Sequence, residues 1–170
     1  MIKLIGSVLV LCGCVLLGFR AYDRLAARVK LIAGLVPALE LISAEICFRL
    51  APLDFAVAAA LSAAEKPAKD FLSNCAASLN VHGSDNFQHV WSNAVEDYRT
   101  VMGNQAAETL LELAPVLGKY GADEQKTVLD YALLRLKRAL TDAEDEKRRS
   151  GKICVTLGFC GGLTLAIVLL

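Results

Sequence analysis

An all-α fold, a six-helix cytosolic bundle flanked by N- and C-terminal transmembrane helices, is predicted by three observations. Both ends of the chain are long uncharged stretches, the last being ICVTLGFCGGLTLAIVLL over residues 153–170. Between them apolar residues recur at spacings of three and four, with no strand-like alternation. The composition is 55% hydrophobic and only 6% aromatic, and the central part, about 130 residues, is long enough to bury a core. The predicted organisation is a transmembrane helix over residues 1–19, a cytosolic helical domain with basic membrane-proximal stalks over 20–152, and a second transmembrane helix over 153–170.

A helix of the final stretch would be about 27 Å long, enough to cross most of a hydrocarbon core. The first apolar run, residues 4–19, reaches spanning length when Met1, Ile2 and the stem of Lys3 are added, the ammonium lying at the interface. Arg20, Arg24, Arg28 and Lys30 follow the first span, and Lys147, Arg148, Arg149 and Lys152 precede the second. Only Lys3 lies on the other side, so the positive-inside rule places the central part in the cytosol of a two-pass cell-membrane protein. A cleaved signal fits poorly, because a single Lys precedes the apolar run and Phe19 leads directly into Arg20. A lipoprotein anchored at Cys14 remains an alternative, since Leu11-Cys12-Gly13-Cys14 loosely resembles the box before a lipid-modified cysteine.

Residues 20–50 read as one helix continuing out of the membrane, with Leu25, Ile32, Leu39 and Ile46 at sevens and Leu35 and Ile42 between them. Gly34 and Pro37 predict a kink separating stalk from bundle, because proline removes a ladder hydrogen bond and crowds the carbonyl four residues back. Pro52 suits the first turn of a second helix reaching about Ala64. The third, residues 68–79, aligns Phe71, Leu72, Cys75 and Leu79. Ser84 is the expected N-cap of a fourth, residues 85–101, whose stripe is Phe87, Val90, Trp91, Ala94, Val95 and Tyr98.

The fifth helix, residues 105–117, turns Ala107, Leu110, Leu111, Ala114 and Leu117 inward and Glu108 and Glu112 outward, and Gly118 and Gly121 end it. The sixth begins near Asp123, with Leu129, Leu133, Leu136, Leu140 and Ala143 available to pair with the first helix. Residues 144–152 contain no large apolar side chain and form a solvated shaft back to the membrane.

Chemistry-bearing motifs are sparse. The sequence has no nucleotide-binding glycine loop, no G-x-S-x-G, no H-E-x-x-H and no C-x-x-C. The two histidines, His82 and His89, are too few for a metal site without fixed partners. Neither a metal, a cofactor nor catalysis is expected. The six cysteines read as small apolar packing residues, Cys47 and Cys75 remaining reduced. A membrane thiol-redox protein using Cys12, Cys14, Cys154 and Cys160 is the alternative. Residues 31–146 carry 9 Lys and Arg against 17 Asp and Glu, a balance of −8, and the legs are basic. That distribution lacks the basic face of a nucleic-acid binder and suits legs lying at anionic headgroups.

Two interaction features stand out. Gly158 and Gly162, one turn apart, form a small-x-x-x-small ridge for close membrane-helix packing, either within one chain or on partner subunits such as a second copy. Glu108 and Glu112 lie one turn apart with no basic residue nearby in sequence, which makes them the candidate face for a cytosolic partner.

Several segments in order resemble the stage III sporulation protein AB family over nearly the whole chain. They are Leu39-Glu40 through Glu45-Ile46 with Ala51-Pro52-Leu53, then Trp91, then Leu117-Gly118 with Gln125, then Leu157-Gly158 with Gly161 and the closing Ile167-Val168-Leu169-Leu170. Ala51 departs from a threonine and Tyr120-Gly121 from a Ser-Asp pair that often cap the second and sixth helices in that family. The resemblance implies a mother-cell membrane component of the channel-like complex between mother cell and forespore. It also implies a cytosolic domain similar to that of the inner-membrane platform protein of type II secretion and type IV pilus machines, which couples a cytosolic ATPase to membrane-embedded parts. The partners so implied are channel subunits and an ATPase.

Overall fold

In the computed structural model, backbone is described for residues 2–82, 87–117 and 122–169, and side chains for residues 13, 16, 19–77, 87–117, 125–151, 153 and 156. Six helices follow one another: α1 Ile2–Arg49, α2 Leu53–Ala63, α3 Ala68–His82, α4 Phe87–Met102, α5 Asn104–Leu113 and α6 Ala122–Leu169. No strand occurs among the described residues. The chain divides into two compact units, Met1–Ala27 with Asp142–Leu170, and Arg28–Thr141.

The Arg28–Thr141 unit is built on the apolar stripe of α1. Leu31, Ile32, Leu35, Leu39 and Ile42 are each at most 1% exposed, so this face has left water entirely. They share the core with Phe71, Leu72 and Cys75 of α3, Trp91 and Val95 of α4, Leu110 and Leu113 of α5, and Leu129 and Leu136 of α6. The spacings of three and four therefore identify the buried faces of all these helices. Trp91 is fully buried, with Phe71 edge-on at 5.4 Å and 80° and Phe87 at 5.5 Å.

Three local features differ from expectation. Helix α5 stops at Leu113 rather than near 117: Ala114 keeps helical dihedrals, but its N–H turns to the Leu111 carbonyl and Pro115 has no N–H to carry the ladder on. The chain tightens instead, with Val116 and Leu117 both donating to the Leu113 carbonyl at 3.0 and 3.1 Å. Helix α1 continues through Gly34 and Pro37 without interruption, and the division between units falls earlier, after Ala27. Gly34 serves close approach: a Cβ there would lie 2.7 Å from the Ala68 Cβ, so only glycine lets the start of α3 lie against α1. Arg28, grouped in sequence with the basic membrane flank, donates from Nε to the Met102 carbonyl at 3.2 Å and so closes the end of α4. Gly103 follows with φ +83°, and a Cβ on it would come within 2.9 Å of the Arg28 guanidinium.

In the other unit, Gly151 of α6 is buried against Tyr22 of α1, where an added Cβ would meet the ring at 2.9 Å. Lys147, one turn away, holds its ammonium 5.8 Å from the centre of the same ring.

Among the described residues one stretch, Phe19–Arg49, is long and apolar enough to cross a membrane by length and composition, with mean hydropathy 1.9. Its most apolar window is 56% buried, since it includes the α1 core face. The spans expected at residues 1–19 and 153–170 fall almost wholly on side chains outside the described residues, as do the expected cap at Ser84 and the glycine breaks at 118 and 121.

Candidate functional site

The surface of the Arg28–Thr141 unit is most unusual where α1 ends. Phe48 is 78% exposed, Leu50 73% and Phe55 57%, three large apolar side chains flanking one turn. Several large exposed apolar groups close together in the chain mark binding surfaces more often than single exposed leucines do. The local cause is the helix end. Leu50 adopts φ +52°, the left-handed geometry that stops a helix, and the Ala51 N–H returns to the Glu45 carbonyl at 3.0 Å. Pro52 then opens α2 without a side-chain cap.

Phe48 also forms one end of a groove of about 380 Å³ between α1 and α6, whose walls include Glu40, Ser43, Asp130, Leu134 and Lys137. Lys137 spans it to Glu40 at 2.6 Å, and Lys126 places its ammonium 5.5 Å from the Phe48 ring centre. The pairing of α6 with α1 expected from the sequence is thus present in this unit. Leu134 and Tyr131 are exposed on α6 beside the groove.

Beneath this corner lies Glu45, only 5% exposed. Its Oε1 accepts from Arg49 Nη1 at 2.9 Å, whereas its Oε2 has no hydrogen-bond partner. Arg49 itself reaches into solvent, its side chain 72% exposed. Nothing in the residue spacing marked Glu45 as functional; its position on the inner face of α1, one residue before Ile46, was the available signal.

Glu108 and Glu112 are both exposed on α5, as their spacing indicates. The basic neighbour that the local sequence lacks comes from α6: Arg135 forms an ion pair with Glu112 and lies 5.7 Å from the Tyr131 ring centre. Arg99 of α4 has its pKa raised, first by its hydrogen bond to Glu96, against a smaller desolvation effect, and further by the charges of Glu96 and Glu108. The acidic pair is therefore partly compensated. The Arg28–Thr141 unit as a whole carries 11 Lys and Arg against 13 Asp and Glu, a balance of −2, because Asp142, Glu144, Asp145 and Glu146 belong to the other unit while Arg28 and Lys30 belong to this one.

Cys47 and Cys75 are reduced thiols, and burial pushes the Cys75 pKa from its ordinary 9.0 up to about 12. A thiol so protonated is a packing group rather than a nucleophile. His89 is exposed, and the described residues contain no group of three or more His, Cys, Asp and Glu able to hold a metal ion. The surroundings of Gly158 and Gly162, of His82, and of Cys12, Cys14, Cys154 and Cys160 lie outside the described residues.

The sequence model of the family described as Stage III sporulation protein AB matches residues 3–170. The Stage III sporulation protein AB of Bacillus subtilis (strain 168) is 26% identical over 172 residues, covering 100% of both chains. No solved structure matches.

Proposed function

Because the chain belongs to the stage III sporulation protein AB family, we propose that it is a non-catalytic platform subunit of a sporulation-specific, type II secretion-like complex between mother cell and forespore. In this role it sits in the mother-cell membrane by two spans, residues 1–19 and 153–170, with the Arg28–Thr141 unit in the cytosol. The unit links a cytosolic ATPase to membrane-embedded subunits. The observation that carries the reading is the surface of that unit: its distinctive feature is an apolar corner and groove rather than a cleft with reactive groups. The basic flanks support the orientation. Gly158 and Gly162 supply a packing ridge to the second span: on the continuous helix α6, Gly151, Gly158 and Gly162 share one stripe.

Co-purification from sporulating cells tests this reading. The intact protein is expected to bring down an ATPase and further membrane subunits, and Gly158→Leu with Gly162→Leu to lose the membrane subunits while retaining the ATPase. Recovery of the protein alone, or normal sporulation after deletion of the chain, would refute the role.

A further inference from the structure

We propose that an exposed stripe of α6 is where two copies of this chain meet, α6 packing antiparallel on α6 of the second copy about a two-fold axis at Leu134. Asp130, Tyr131, Leu134 and Arg138 recur on this helix at spacings of three and four, so they share one face. All four are exposed, and the two large apolar side chains among them, Tyr131 and Leu134, are 60% and 48% exposed.

The charges beside them decide the occupant. Lys137 is neutralised within the chain by Glu40 and Arg135 by Glu112, and Lys126 lies over the Phe48 ring. Asp130 and Arg138 have no ion-pair partner among the described residues. They carry opposite signs and stand one helical turn to either side of Leu134, about 12 Å apart along the axis and too far to reach each other. An antiparallel second copy centred on Leu134 joins them twice. Asp130 then faces Arg138 of the second copy, Arg138 faces its Asp130, and Leu134 meets Leu134. A closed two-fold contact uses the same patch on both sides, which must therefore complement itself when reversed. This stripe does so, whereas a parallel pairing would set like charges together. Exposed ion pairs fix register more than affinity, so the contact is weak in free solution and gains from confinement of copies in one bilayer.

The inference goes beyond the platform role and does not depend on it, since it is measured on this chain alone. The test is energy transfer between donor- and acceptor-labelled full chains in liposomes at rising protein-to-lipid ratio. Association through the rest of the chain is common to all variants. Asp130→Arg or Arg138→Asp alone is expected to weaken association about fivefold, because each creates two like-charge contacts. Combining the two changes in one chain should restore it, and so should mixing the two single variants with each other. Rescue by mixing also excludes misfolding as the cause of either loss. Leu134→Arg, which places two guanidinium groups on the axis, should weaken association most. Unchanged association in the single variants, or no recovery in the double variant and the mixture, would overturn the proposal. So would a photo-cross-linking residue in place of Leu134 that captures, in cells, mainly a different protein rather than a second copy.

Discussion

The Trp91 indole N–H donates to the Leu110 carbonyl at 2.7 Å. Leu110 lies in the last turn of α5, where carbonyls lack intrahelical partners, and the Ala114 N–H that could have served it is bonded to Leu111 instead. One side chain of α4 thereby satisfies the end of α5 while filling the centre of the core.

Trp91→Phe leaves that carbonyl unsatisfied and opens space beside Phe71. The expected loss is about 3 kcal/mol, combining an orphaned acceptor with a partly collapsed cavity. Urea unfolding of the full chain in detergent checks it, and a loss below about 1 kcal/mol would show that water replaces the indole.

Gly34→Ala should cost about 1–3 kcal/mol through the clash with the Ala68 Cβ, even though alanine is the better helix former. The compensating pair Gly34→Ala with Ala68→Gly should recover most of the loss, as a thermal-unfolding double-mutant cycle would reveal. A neutral or stabilising single substitution would mean that α3 shifts freely away from α1.

Cys75 makes stability depend on alkaline pH. Its folded pKa lies above the ordinary 9.0, so its contribution is complete below pH 9.0 and is lost as pH rises toward about 12. Unfolding midpoints from pH 8 to pH 11, a range chosen about that window, should fall more steeply for the native chain than for Cys75→Ala. The same burial predicts slow reaction of Cys75 with aqueous thiol reagents until the unit opens.

Glu108→Lys with Glu112→Lys is expected to lower ATPase capture most at low salt, if the outer face of α5 contributes to docking. The second of these changes also sets a new ammonium against the Arg135 guanidinium, so it needs a control. Adding Arg135→Glu restores the ion pair in reversed order, and capture that returns with it would identify a folding effect rather than a docking one.

The helices and their buried faces were legible because burial imposes a period on the chain. Trp91 and, on α6, Leu129, Leu133 and Leu136 stand where that period places them. Other features depend on what lies across a helix, which spacing does not encode. Gly34 reads as a hinge until Ala68 is seen against it, and Arg28 reads as a headgroup contact until its bond to Met102 is seen. The acidic face was legible as exposed, but its compensation by Arg135 comes from 23 residues away. Glu45 was visible only as a carboxylate on an apolar face, and its buried oxygen without a donor is a product of tertiary packing.

The apolar face of α1 has a consequence for biogenesis. Phe19–Arg49 is hydrophobic enough to enter a bilayer, yet its inner residues must instead be covered by later helices. Arg28 finds its Met102 carbonyl only 74 residues further along the chain, and Leu129 and Leu136 come later still. During synthesis this stretch therefore faces two competing destinations, lipid and a core whose other half has not yet left the ribosome. Glu40 and Glu45, with Arg24, Arg28 and Lys30 upstream, bias the choice by making translocation of that segment costly. Their removal should raise the fraction of nascent chains that place this stretch in lipid rather than in the core.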